Sequence, residues 1–148
     1  MKKGFTLIEL IAVIVILALL AMVTIPMIIG TLSNSKEKSF TTDVKELVSI
    51  SQQDITENDR KCTKKDDICL YEYKITNEGK KLYEFVDTND NIKLSGSIEN
   101  LSGSIFIDED GKAYKVNIWN ESLKKCAVLD NDNIVIDEKI TSSNKCFN

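Results

Sequence analysis

The chain has 148 residues, 43% of them hydrophobic and 28% charged, which is enough for one domain with a real core and too few for two. Its 19 basic residues against 23 acidic ones leave a formal charge of −4, a poor footprint for phosphate backbones, so no specific nucleic-acid binding is expected. The histidine count is zero, which excludes Ser-His-Asp and Cys-His nucleophile pairs, His-ligated zinc and any imidazole general base.

The first element is apolar. Residues 1–30 hold 22 of the hydrophobic residues and residues 31–148 hold the other 41, while Lys2, Lys3 and Glu9 are the only charges before Lys36. From Leu10 to Ile29 there are 20 uncharged residues, about 30 Å as a helix, long enough to span a bilayer. Lys2 and Lys3 just before the run would stay cytoplasmic, which places the following 118 residues outside. A secretory signal cleaved after the run fits less well, because neither Ala18 nor Ala21 sits in an A-x-A pattern. Glu9 is the exception within this segment. A carboxylate at the centre of a membrane helix costs roughly 2.5–3.5 kcal/mol, and less at an interface, so by charge alone Glu9 reads as a boundary residue reaching back to water.

The residues around it suggest more. Lys2-Lys3-Gly4 followed by Phe5-Thr6-Leu7-Ile8-Glu9 resembles the leader and processing site of the type IV pilin and pseudopilin family. The resemblance implies cleavage between Gly4 and Phe5 by a prepilin peptidase that also N-methylates Phe5. It likewise implies an assembly role for Glu9 and a helix kink at Pro26. The implied partners are other pilin subunits in a homo- or hetero-polymer and an assembly platform in the membrane. The implied location is a single-pass membrane precursor with its C-terminal domain outside, then a surface filament. On this reading residues 1–4 are the leader, 5–30 the membrane and assembly half of the helix, and 31–148 the exported domain. Elementary electrostatics agrees with the role of Glu9, because a new ammonium on Phe5 would lie four positions away, on the same helical face and at the positive end of the helix dipole. Either its own terminus or that of a neighbouring subunit would offset the cost of an apolar-buried carboxylate. Loss of Lys2 and Lys3 takes the balance to 17 basic against 23 acidic side chains, or −6. Pro26 lacks the N–H for the carbonyl of Met22 and Gly30 follows, which predicts a kink rather than a stop, since helical spacing resumes downstream.

Past Ser33-Asn34-Ser35, Phe40, Val44, Leu47, Val48, Ser51 and Ile55 form one amphipathic stripe, with Lys45, Glu46, Gln52 and Gln53 turned away. The helix is expected to continue to about Asn58. The period then changes to two: Tyr71, Tyr73 and Ile75 alternate with Glu72 and Lys74, and Leu82 to Val86 makes a second short run. Ile105 to Ile107, an Asp108-Glu109-Asp110-Gly111 tip, and Tyr114, Val116 and Ile118 read as a β-hairpin. Cys126 to Leu129 and Ile134 to Ile136 flank Asp130-Asn131-Asp132-Asn133 and suggest another. The fold class is therefore α+β, a long N-terminal helix with a membrane-embedded first half and its outer half packed on a small antiparallel sheet, as in pilins. The expected core adds Tyr71, Tyr73, Phe85, Phe106, Tyr114, Val116 and Trp119.

Cys62, Cys69, Cys126 and Cys146 all fall in the exported part, where disulfides form, and none makes a C-x-x-C pair of the kind a Cys₄ zinc site uses. Three connectivities are possible. The local pairing Cys62–Cys69 and Cys126–Cys146 is favoured because each pair brackets a turn-rich segment, and the second resembles the disulfide-bounded loop of many pilins. Asp108, Asp110, Asp130 and Asp132 raise calcium, which some pseudopilins bind, but they lack EF-hand spacing and read better as turn residues, so no metal or cofactor is assigned. No catalytic constellation is found and the chain is not expected to be an enzyme. The reading is a type IV pilin-like structural subunit. The alternatives are a pseudopilin of a type II secretion or competence system and, from another class, a signal-anchored extracytoplasmic binding domain.

Overall fold

A computed structural model of the protein describes residues 6–65, 68–76, 83–86, 90–92, 98 and 100–147. Helix α1 is Leu7–Asn58. It is followed by strands β1 (Thr63–Lys65), β2 (Ile68–Ile75), β3 (Tyr83–Phe85), β4 (Asp90–Asn91), β5 (Leu101–Asp108), β6 (Ala113–Asn120), β7 (Lys125–Asp130) and β8 (Asn133–Asp137), and by a short helix α2 (Ser143–Cys146). The chain divides into two compact units, Met1–Lys36 and Glu37–Asn148.

In the second unit the strands form one antiparallel sheet in the order β4-β3-β2-β5-β6-β7-β8, with β1 paired to β2. Alternation assigns each strand residue to one of two faces. The inner face takes Tyr73, Ile75, Ile105, Ile107, Val116, Ile118 and Ala127, all buried, and closes over Phe40, Val44 and Leu47 of α1. Seven residues separate Phe40 from Leu47, two turns of helix, so the three meet the sheet as one stripe. Both local hairpins form. Gly111 at the β5–β6 tip has φ +78°, while Asn131 and Asp132 at the β7–β8 tip have φ +47° and +62°, the left-handed pair a tight two-residue turn requires.

The outer face carries a second, smaller core. Trp119, Cys126 and Cys146 are buried together there, with Val128 and Ile140 packed against them. The Cys126–Cys146 disulfide, Cα–Cα 5.8 Å, thus staples the segment after β8 across the back of β6 and β7. The Cys62–Cys69 pair, Cα–Cα 5.4 Å, crosses the β1–β2 hairpin. Trp119 accordingly belongs to this outer cluster and not to the helix-facing core.

Several expectations need correction. Tyr114 is 52% exposed. The ladder between β5 and β6 slips between Phe106 and Ile107, so that Lys115 faces Phe106 and Ala113 faces Ile107, leaving Tyr114 as the extra residue of a bulge and turning it outward. Phe106 is half-buried on the outer face, because Ile105 and Ile107 on either side take the inner one at 0% exposure. Tyr71 is likewise only partly buried. Gln52 does not turn to solvent, since its Nε2 donates to the Gly111 carbonyl at 2.6 Å and ties α1 to the hairpin tip. Leu82 lies outside the described residues.

Candidate functional site

Two features of the first unit set its chemistry. The first is the start of α1. Thr6 is not helical, its carbonyl accepts the first helical bond from Leu10 N–H at 3.2 Å, and Glu9 is the third residue of the helix. Thr6 therefore stands at the N-cap and Glu9 at N3, the T-x-x-E spacing of a capping box. The reciprocal bonds are present. The Thr6 backbone N–H and hydroxyl both donate to Glu9 Oε2 at 2.8 Å, and the Glu9 N–H donates to Thr6 Oγ1 at 3.3 Å. These bonds satisfy helix-end donors that the helix itself leaves free, and they place a carboxylate at the positive end of the helix dipole. Thr6 is absent from the residues singled out by sequence, although the T-x-x-E spacing was there to be read.

The second feature is the apolar surface that follows. Leu7, Ile8, Leu10, Ile11, Val13 and Ile14 are 47–76% exposed, and large apolar residues continue exposed as far as Leu32. Exposure on every side of a helix leaves it without a water-facing stripe, which marks it for lipid or for a protein core supplied from elsewhere. The helix is long and apolar enough to cross a membrane, and none of its apolar window is buried within the chain. Helical structure runs unbroken through position 26, so Pro26 does not end α1. Just before it, the Thr24 hydroxyl donates to the Leu20 carbonyl at 3.1 Å, the back-bond by which threonine keeps its polar group satisfied inside an apolar helix. Gly4 and Phe5 lie outside the described residues, as do Lys2 and Lys3.

The second unit closes the end of α1 with a buried polar cluster that the sequence reading missed. Asp54 is 7% exposed and accepts from Arg60 Nε at 2.8 Å, Arg60 Nη2 at 3.0 Å, Asn58 Nδ2 at 2.6 Å and the Tyr73 hydroxyl at 3.0 Å. The Arg60 guanidinium also lies 5.0 Å from the centre of the Phe85 ring. Burial works to raise the Asp54 carboxyl, but the bonds from Arg60, Tyr73 and Asn58 outweigh it and hold the group below the ordinary carboxylate range. Burial, then the neighbouring Asp54, pushes the Tyr73 hydroxyl well above its usual value. These four bonds to Asp54 tie the end of α1 to the connecting segment and to β2. Position 54 falls on the helix stripe, three residues past Ser51, which is the signal that could have marked it.

Among the described residues no three of His, Cys, Asp and Glu stand where they could hold a metal ion. Asp108 Oδ1 accepts instead from the N–H groups of Asp110 and Lys112 at 3.1 and 2.8 Å, stabilising its own turn.

Residues 1–25 match the family model described as the prokaryotic N-terminal methylation motif, the leader of type IV pilins and pseudopilins. No curated protein and no solved structure matches the chain.

Proposed function

We propose that the protein is a structural, non-enzymatic pilin-like subunit, inserted in the membrane as a precursor, cut between Gly4 and Phe5, N-methylated on Phe5, and polymerised through α1 into a surface filament. The observation that carries this reading is the methylation motif at residues 1–25 joined to a helix whose large apolar residues from Leu7 to Leu32 find no cover within the chain. Glu9 caps its own helix whether or not the chain assembles, and on this reading it has a second role. Glu9 supplies a partner for the Phe5 ammonium that cleavage would create, in its own chain or a neighbouring one, and pairing removes the cost of either charge in an apolar filament core. The folded second unit would then form the filament surface.

Electron microscopy of sheared surface fractions tests it. Filaments that contain this chain and vanish on deletion of its gene are the expected result. Intact, correctly processed protein confined to the membrane fraction, with no filaments, would overturn the surface-filament assignment and leave a pseudopilin or an anchored domain.

A further inference from the structure

Among the described residues the segment stapled by Cys126–Cys146 covers only part of the outer sheet face, and the rest, over β2, β5 and β6, holds a cleft of about 410 Å³. Cross-strand register shows how it is built. Lys74, Ser104 and Asn117 lie in one outward row, Glu72, Phe106 and Lys115 in the next, and Ser102 stands opposite Trp119 at the margin of the stapled segment. Phe147, 44% exposed directly after α2, forms the wall on that side.

Three properties of the lining point to one ligand chemistry. First, Ser102, Ser104, Thr76 and Asn117 bring hydroxyls and an amide that both donate and accept. Among the described residues none of these side-chain groups is engaged by another protein group, and none is a buried unsatisfied atom. Second, Phe106 and Phe147 offer aromatic surface beside those groups. Third, the charged groups are few: Lys74 Nζ lies 3.4 Å from Glu72 Oε1, which leaves Lys115 as the one excess charge of the lining. A protein-docking surface would centre on a desolvated apolar anchor, whereas here the row Lys74, Ser104 and Asn117 is wholly polar and Phe106 in the next row is flanked by Glu72 and Lys115. The size lies within the range of small-ligand pockets.

We infer that this cleft binds a saccharide, whose hydroxyls meet Ser102, Ser104, Thr76 and Asn117 and whose apolar ring faces lie against Phe106 and Phe147. The inference is independent of filament formation.

The test uses the purified full chain in zwitterionic micelles free of sugar headgroups, with cellotetraose, chitotetraose and maltotetraose offered separately at millimolar concentration. Saturation-transfer NMR should show transfer from protein to the ring protons of at least one tetrasaccharide. Phe147→Ala, at an exposed position outside both cores, should weaken that binding by about fivefold or more while leaving the disulfides and circular dichroism unchanged. Asn117→Ala should weaken it as well, and Tyr114→Ala, an exposed aromatic outside the cleft, should not. Absence of transfer to all three sugars, or binding that Phe147→Ala leaves intact, would overturn the proposal.

Discussion

Tyr73, in the middle of the sheet, donates its hydroxyl to Asp54 near the end of α1 across 3.0 Å, and Arg60 grips the same carboxylate in two places. One acidic side chain therefore links helix, connecting segment and strand. Asp54→Ala removes the acceptor for all of them at a site only 7% exposed, and should cost about 3 kcal/mol or more. Tyr73→Phe removes one bond to a charged group and should cost about 1.5–3 kcal/mol. Chemical unfolding followed by Trp119 fluorescence measures both, and a loss below 1 kcal/mol for Asp54→Ala would contradict the structural role given to the cluster.

The same carboxylate carries a pH dependence. Asp54 is held below its ordinary range in the folded state, so the unfolded chain takes up its proton first as pH falls. The stabilisation is complete above the ordinary carboxylate range and is lost as pH drops through the depressed folded value. The stability gap between wild type and Asp54→Asn should therefore narrow on acidification below that range. A gap that stays constant from neutral to acid pH would show that the carboxylate charge is not what stabilises the site.

What the sequence made legible was whatever depended on local period. The stripe from Phe40 to Ser51, the end of α1 at Asn58 and both hairpin tips follow from spacing and turn chemistry alone. Tyr114 was misplaced because a one-residue bulge resets the alternation, and nothing in an apolar-polar pattern marks where a bulge falls. Phe106 was misplaced because it stands in a run of three apolar residues, in which alternation cannot say which face wins. The Asp54 partners were invisible for a different reason: Tyr73 is 19 positions away, and only the register of β2 against α1 brings it there. At the N-terminus Glu9 was legible as an anomaly, while its hydrogen-bonding partner Thr6 was hidden behind the stronger expectation of an ammonium on Phe5.

Thr6 and Glu9 allow capping to be separated from charge. Glutamine preserves the acceptor that a capping box needs but carries no charge. If Glu9 serves assembly by pairing with the Phe5 ammonium, Glu9→Gln and Glu9→Ala should both accumulate in the membrane and fail to enter filaments, with the second unit folded and its disulfides intact. If capping were the whole role, Glu9→Gln would assemble like wild type, and Thr6→Ala would mimic Glu9→Ala. The amount of the protein in sheared and membrane fractions, quantified at matched expression, distinguishes these patterns.

Processing depends on Gly4 in the proposed reading, since a side chain there would occupy the peptidase site next to the cut. Gly4→Asp should leave the precursor whole. Intact mass of membrane-extracted protein checks this, and a wild-type chain still beginning at Met1 in cells with an active prepilin peptidase would rule out the cleavage.

The two disulfides should differ in their response to reductant, because they differ in access. Cys126 and Cys146 are 0% and 2% exposed beneath Trp119 and Ile140, whereas Cys62 and Cys69 are only partly buried. Thiolate attack needs a path to the sulfur, so graded reduction under native conditions should open Cys62–Cys69 first. The second bridge closes a sequence separation of 20 residues, worth roughly 3 kcal/mol in the chain-entropy model, and it holds the segment that carries Phe147. Alkylation during graded reduction, read by peptide mass, should therefore label Cys62 and Cys69 while Cys126 and Cys146 stay protected until the domain unfolds. Labelling of Cys126 and Cys146 first, with the fold retained, would show that the C-terminal segment lifts from the sheet more readily than its packing against Trp119 implies.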